Sequence, residues 1–255
     1  MGGFFGAVSR KNCKYDVFFG TDYHSHLGTK RGGLAFYDEE KGFQRQIHNI
    51  ESTPFRTKFD GDLAKMNGTA GIGAISDTDP QPLLVRSHLG MFAIANVGII
   101  SNAEKIVADT FAAPGHYFMA MSSGKVNDSE LIAALINRCG DLVEGIKYAQ
   151  ELIEGSCTIL LLTSDGIIAA RDKLGRLPII VGQGADGCCV SMESFACQKL
   201  GYQPQYNLGP GEIAKISPGF VRMKFVSGQC SASQQHLHWQ FRCPPARRSA
   251  PDLQK

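Results

Sequence analysis

Between residues 127 and 171 the spacing of apolar side chains changes, and that change restricts the fold more than any other feature of the chain. Leu131, Ile132, Leu135 and Ile136 recur at helical spacing behind Asn127 and Asp128, either of which can cap a helix, and Gly140 closes it. Asp141 and Glu144 then form a capping-box-like pair ahead of Val143, Ile146, Ala149, Leu152 and Ile153, a second helix running up to Gly155. From Ser156 to Thr163 the residues are almost continuously apolar, Asp165-Gly166 is a strong hairpin turn, and Ile167 to Arg171 returns as a strand. Two antiparallel helices therefore lead straight into a β-hairpin.

Further strands are expected at 178–182, 188–191, 211–216 and 220–225, and ahead of the helical middle at 4–9, 33–37, 71–76 and 92–95, with a helix around 15–26. Strands on both sides of a helical middle, with no βαβ alternation, predict an α+β domain of largely antiparallel sheets covered by helices. The 29 glycines in 255 residues agree with many tight turns. A net charge of +2 gives no field that would draw nucleic acid or an anionic bilayer to the whole surface. The longest apolar stretches, 91–100 and 159–162, fall short of the ~18 to 20 residues that a spanning helix needs. No secretory leader is read at the start, so the expected compartment is the cytoplasm. Eight cysteines without C-x-x-C spacing read as reduced thiols packed as small hydrophobes. Beyond Ser227 the patterning stops: 229–255 holds five Gln, four basic residues against one acidic, and the only Trp, Trp239. The chain thus divides into a body, 1–228, and an irregular, loosely docked tail, 229–255, whose abrupt change of character suggests translation out of frame.

Three local patterns carry residues with chemistry of their own. Gly182-x-Gly184-x-x-Gly187 matches a dinucleotide fingerprint, but Cys188-Cys189-Val190-Ser191 after it is strand-like, so a glycine-rich hairpin is expected instead. Cys230, His236, His238 and Cys243 could be drawn as a zinc set, yet their spacing fits no usual zinc module. No metal and no cofactor is expected. Thr29-Lys30-Arg31-Gly32-Gly33 could hold an anion in a basic turn, with a solvated loop the plainer reading.

The more informative residues are dispersed. Gly2-Gly3-Phe4-Phe5-Gly6, His26-Leu27-Gly28, Gly71-Ile72-Gly73, Gly98-x-x-x-Asn102, Asp128-Ser129-Glu130, Arg171-Asp172 through Gly175 to Pro178, Ser191-x-Glu193-Ser194 and Pro210-Gly211-Glu212-Ile213 follow one another in a fixed order. Together they resemble the class II glutamine amidotransferase domain, most closely the N-terminal half of amidophosphoribosyltransferases, over residues 1 to about 228. The resemblance implies a four-layer αββα sandwich of the N-terminal-nucleophile hydrolase type. It also implies glutamine hydrolysis by a cysteine exposed when the initiator Met leaves, with its own α-amine as base, an Asn and a Gly as oxyanion donors, and an Arg and an Asp holding the substrate's carboxylate and amine.

The sequence departs from that pattern at the working positions. Gly2 stands at the nucleophile, Leu27 where the H-R-G segment carries Arg, Ile75 where the carboxylate-binding Arg is expected, and Val97 at the oxyanion Asn. Gly98 and Asp128 are retained as residual substrate-binding positions, although capping alone would explain Asp128. The expectation is a glutaminase-inactive domain of an amidophosphoribosyltransferase-like protein of purine biosynthesis, lacking the phosphoribosyltransferase half. The alternative is a non-catalytic binding or regulatory module whose apolar pocket, lined by Ile75, Val97 and Asp128, takes a small amine-bearing metabolite. Expected partners are that metabolite, the missing half and a second copy of the chain, with no nucleic acid and no membrane. A residual hydrolase built on Cys13 is the remaining reading.

Overall fold

The computed structural model describes residues 2–111, 121–122, 125–217, 220–224 and 240–242. The chain opens with β1 (Gly2–Ser9), α1 (Lys14–Asp22) and a 3-10 turn at Ser25–Leu27, followed by β2 (Arg31–Asp38), β3 (Gly42–Asn49), α2 (Phe55–Leu63) and β4 (Ala70–Ser76). The middle holds β5 (Leu83–Ser87), β6 (Gly90–Ile100), α3 (Ala103–Phe111), the short strands β7 (Met121–Ser122) and β8 (Lys125–Val126), and the helices α4 (Asp128–Ile136) and α5 (Leu142–Leu152). The rest is β9 (Gly155–Thr163), β10 (Gly166–Ala170), β11 (Ile180–Gln183), β12 (Gly187–Ser191), α6 (Ser194–Lys199), β13 (Gln203–Asn207), β14 (Ile213–Ser217), β15 (Phe220–Lys224) and β16 (Gln240–Arg242).

Two seven-stranded antiparallel sheets result, in the orders β13-β11-β12-β1-β4-β2-β3 and β16-β15-β14-β10-β9-β6-β5. Alternation along each strand gives each sheet two buried faces. Phe4, Val8, Ile72, Ala74, Val181 and Val190 of the first sheet meet Ala93, Ala95, Leu160, Leu162 and Ile216 of the second in one inter-sheet core. The intervening residues face the helices. Phe5, Leu34 and Ile75 pack with Val17 of α1, Phe59 of α2 and Cys197 of α6, while Ile94, Ile159 and Leu161 pack with Ile106, Leu131 and Ile146 of α3, α4 and α5. The order from outside to outside is helix, sheet, sheet, helix, as the α+β sandwich reading requires.

Several local predictions are met closely. Asp165-Gly166 joins β9 to β10 with Gly166 at φ +128°, and Gly184 N–H donates to Gly187 O at 2.8 Å inside the β11–β12 hairpin. Strands β3, β5 and β13 and helices α2, α3 and α6 are elements that apolar spacing did not mark out. Within the tail, Gln240–Arg242 pairs with Phe220–Arg222 at a sheet edge. Cys230, His236, His238, Trp239 and Cys243 lie outside the described residues, as does Met1. Among the described residues no helix is long and apolar enough to cross a membrane.

Candidate functional site

Gly2 and the residues beside it lie at one end of the neighbouring strands β1, β4 and β2. Gly2 pairs with Ser76, and Ser76 with Arg31, so these three residues form a row across three strands. Gly6, Ile72 and Ala35 show which way the row points. A side chain at Gly6 would meet Leu160 and Ile167 of the opposite sheet, and Ile72 and Ala35 lie in the inter-sheet core. A side chain at Gly32 would instead meet Phe55 and Phe59 of α2. Positions 2, 76 and 31 therefore face the other sheet, and positions 3, 75 and 32 face the helices.

This alternation corrects one sequence assignment. Ile75 is 1% exposed and packs in the helical layer, so it cannot line a pocket between the sheets. The inward residue at that level is Ser76. Arg31, expected in a basic turn, instead begins β2 beside Ser76, and in the same segment Thr29 N–H donates to Asp77 Oδ1 at 2.7 Å. That bond holds the Asp77 carboxyl below its ordinary range. Counting residues by two from Ile72 and Ala74 would have found Ser76, and by two from Ala35 and Gly33 would have found Arg31.

At Gly2 the packing is closer than a side chain allows. A Cβ there would lie 2.4 Å from the backbone carbonyl oxygen of Ile75 on β4. Gly3 faces the other way, against Leu27 and His24. Leu27 thus belongs to the layer behind β1, on the 3-10 turn, rather than to the face carrying the row.

On the second sheet, Val97 of β6 is 8% exposed and takes part in the inter-sheet core with Phe4 and Ala74. Its cross-strand neighbour Thr158 on β9 is fully buried, and its hydroxyl has no hydrogen-bond partner among the described residues. Gly98 has φ +155°, and a Cβ would come within 2.0 Å of Ser156 O, so its backbone excludes any other residue.

Asp128 occupies the first turn of α4 but does not cap it. The cap is Asn127, whose Oδ1 accepts from Ser129 N–H at 2.8 Å and more weakly from Glu130 N–H at 3.4 Å. Asp128 N–H donates to the buried Asp79 at 3.0 Å, and burial together with the Asp79 charge pushes the Asp128 carboxyl up to about 6. Around it Ser129 Oγ donates to Asn96 Oδ1 at 2.6 Å, and Gln81 Oε1 accepts from Asn96 N–H at 2.7 Å. Asp79, Gln81, Asn96 and Asn127 form a polar patch that no apolar period would reveal.

Other family-like residues are tied into the fold by their own hydrogen bonds. Asp172, buried, accepts from Leu174, Arg176 and Leu177 N–H, and the Arg171 guanidinium donates to the carbonyls of Leu177, Leu208 and Gly175. Glu212 accepts from Tyr206 Oη–H and Gly209 N–H, and Asn102 clamps Leu152 O and Glu154 N–H. Cys13 is buried, its Sγ–H donating to Gly68 O at 3.3 Å, and burial drives its thiol well above the ordinary range. A thiol so held supplies no thiolate, which removes Cys13 as a nucleophile. Among the described residues no cluster of three or more His, Cys, Asp or Glu could hold a metal ion.

Two antiparallel sheets face to face between helical layers, with β1 in the middle of one sheet, match the fold of the N-terminal-nucleophile type of glutamine amidotransferase domain. Comparison with known proteins agrees. The chain is 27% identical over 235 residues to an amidophosphoribosyltransferase of Methanocaldococcus jannaschii, covering 87% of this chain and 48% of that one. It is 28% identical over 209 residues to the enzyme of that name from Archaeoglobus fulgidus, covering 79% and 44%. Among solved structures, a glutamine phosphoribosylpyrophosphate amidotransferase from B. subtilis superposes with a TM-score of 0.77 at 25% identity, over 87% of this chain and 48% of that one. A glutamine aminotransferase class-II domain protein from Silicibacter pomeroyi, 10% identical with a TM-score of 0.57, shares the fold. No protein-family model matches the chain. The chain spans about half the length of the curated relatives it matches.

Proposed function

We propose that this chain is a glutaminase-silent amidotransferase domain, related to the front half of amidophosphoribosyltransferases, whose role is structural or regulatory rather than hydrolytic. The observation that carries the reading is Gly2. It supplies no thiol at the head of β1, and the Ile75 carbonyl fills the place where a side chain would begin. Val97 in the inter-sheet core adds the loss of an oxyanion donor, a change that costs ~10²- to 10³-fold in rate where it has been made singly. Gly98 and Asp128 persist, the first because its backbone admits only glycine, the second with its carboxylate free of the capping task.

In this reading any phosphoribosyl transfer belongs to a partner region beyond the residues that match, and runs on free ammonia. The test is glutamine turnover by the purified chain, followed as glutamate released. The expected result is the uncatalysed background, and release that scales with protein concentration and survives replacement of Gly2 by Ala would show a nucleophile elsewhere.

Arg31 and Asp128, two ionisable side chains of which neither caps a helix nor joins an ion pair among the described residues, favour a second reading, in which the domain binds a small amine-bearing metabolite. Arg31 is half-buried, faces inward and makes no ion pair among the described residues. Free amino acids at 100 times their Kd would add ~2.7 kcal/mol to stability, so the absence of a thermal shift across all twenty would dismiss this reading.

A further inference from the structure

Beyond the site, the structure places two thiols against each other behind the first sheet. Cys189 Sγ lies 3.3 Å from Cys197 Sγ, on β12 and α6. Both side chains are wholly buried in the helical layer, beside Ala196 and Tyr202. The neighbouring Cys188 points the opposite way, into the inter-sheet core, because β12 alternates. Space for the pair is left by Gly182 on β11, where a Cβ would stand 2.8 Å from Cys189 Sγ and 3.4 Å from Cys197 Cβ. A disulfide needs its sulfurs at about 2.05 Å, so they must approach by roughly 1.2 Å, within reach of side-chain torsion on a six-residue helix.

We propose that Cys189 and Cys197 form a reversible oxidation site that takes a peroxide-class oxidant and closes to a disulfide tying α6 to β12. The Cys189 thiol donates toward Cys197, which holds the Cys197 thiol below its ordinary range and marks it as the attacking sulfur. Ser191 stands beside this pair, and its Oγ lies 3.2 Å from Nε2 of the buried, neutral His24, whose other nitrogen is bound to Gly20 O at 2.7 Å. In the first step the Cys197 thiol gives up its proton, its sulfur attacks one peroxide oxygen, the O–O bond breaks, and the departing oxygen takes that proton, so that a sulfenic acid and water are formed. In the second, Cys189 sulfur attacks the sulfenic sulfur, the S–O bond breaks, and the hydroxyl leaves as water with the Cys189 proton. Two thiols and one peroxide become one disulfide and two waters; sulfur is oxidised and peroxide oxygen reduced. A dithiol reductant reverses it.

The experiment treats the folded chain with hydrogen peroxide and, separately, with diamide, then alkylates it in denaturant, digests it and locates the linkage by tandem mass spectrometry. The expected product joins Cys189 to Cys197, is lighter by two hydrogens and is restored by dithiothreitol, while Cys13, Cys157 and Cys188 carry the alkyl label. Full labelling of both Cys189 and Cys197 after both oxidants overturns the proposal, as does linkage of Cys197 to Cys188. Oxidation in urea provides the matching control. There the opposed faces of β12 no longer exist, so Cys188 is expected to compete with Cys189 for Cys197, and identical linkage in urea and in the folded chain overturns a role for the fold.

Discussion

Asp128 sits in an environment that disfavours its charge, and the consequence is measurable. Its carboxyl is raised to about 6, by burial first and by Asp79 second, from an ordinary value near 3.8. Between those two pH values the folded chain holds a proton that the unfolded chain has released, so stability falls as pH rises through the interval and stays lowered above it. Asp128→Asn removes the charged form. It is expected to be nearly neutral below pH ~4 and to stabilise the chain by about 1 kcal/mol at pH ~7.5, solvent screening the charge of a partly exposed carboxyl. Urea unfolding at both values checks this, and an equal effect at each would show that packing, not charge, decides the outcome. How readable such residues are in sequence depends on period. Asn127 and Asp128 both look like caps, and only the backbone turn at Asn127, with φ −63° and ψ 129°, decides between them. Ile75 differs from its expected place for the same reason: a motif fixes the neighbourhood, while one step along a strand exchanges its two faces.

At the scale of elements, the Arg171–Pro178 turn between β10 and β11 is held by side-chain bonds from both Arg171 and Asp172. Arg171 reaches three carbonyls from two separate loops, those of residues 175–177 and of Leu208. Arg171→Met keeps the apolar stem and orphans those acceptors, so a loss of about 2 to 4 kcal/mol is expected, read from the urea midpoint. Arg171→Lys should recover part of it, and a neutral Arg171→Met would show that water replaces the guanidinium without cost. Which elements the sequence displays follows from their position in the sheets. The buried strands at 4–9, 71–76, 156–163 and 188–191 declare themselves by unbroken apolar or small residues, because both faces are covered. Strands β3, β13 and β5 do not, and all three are sheet edges. An edge strand is partnered on one side only, and β3 and β13 carry polar residues such as Gln44, Arg45, Gln203 and Gln205, which discourage pairing with another chain but also erase the apolar signal.

For the whole molecule, the decisive property is that one core serves both sheets. Leu160 is fully buried on β9, in that inter-sheet layer, and a side chain at Gly6 of β1 would touch it. Leu160→Ala is expected to cost about 2 to 5 kcal/mol. Because the layer is shared, amide exchange in β12 and in β14 should accelerate together, and a loss confined to the second sheet would mean that the sandwich opens in halves. The same close approach bears on what the first strand can carry. With β1 drawn up until Gly2 presses on the Ile75 carbonyl, a cysteine codon at position 2 would arrive in a place with no room for it. β4 would have to retreat to make that room. A side chain at position 2 is therefore a change in two strands, the new group on β1 and a displaced carbonyl on β4.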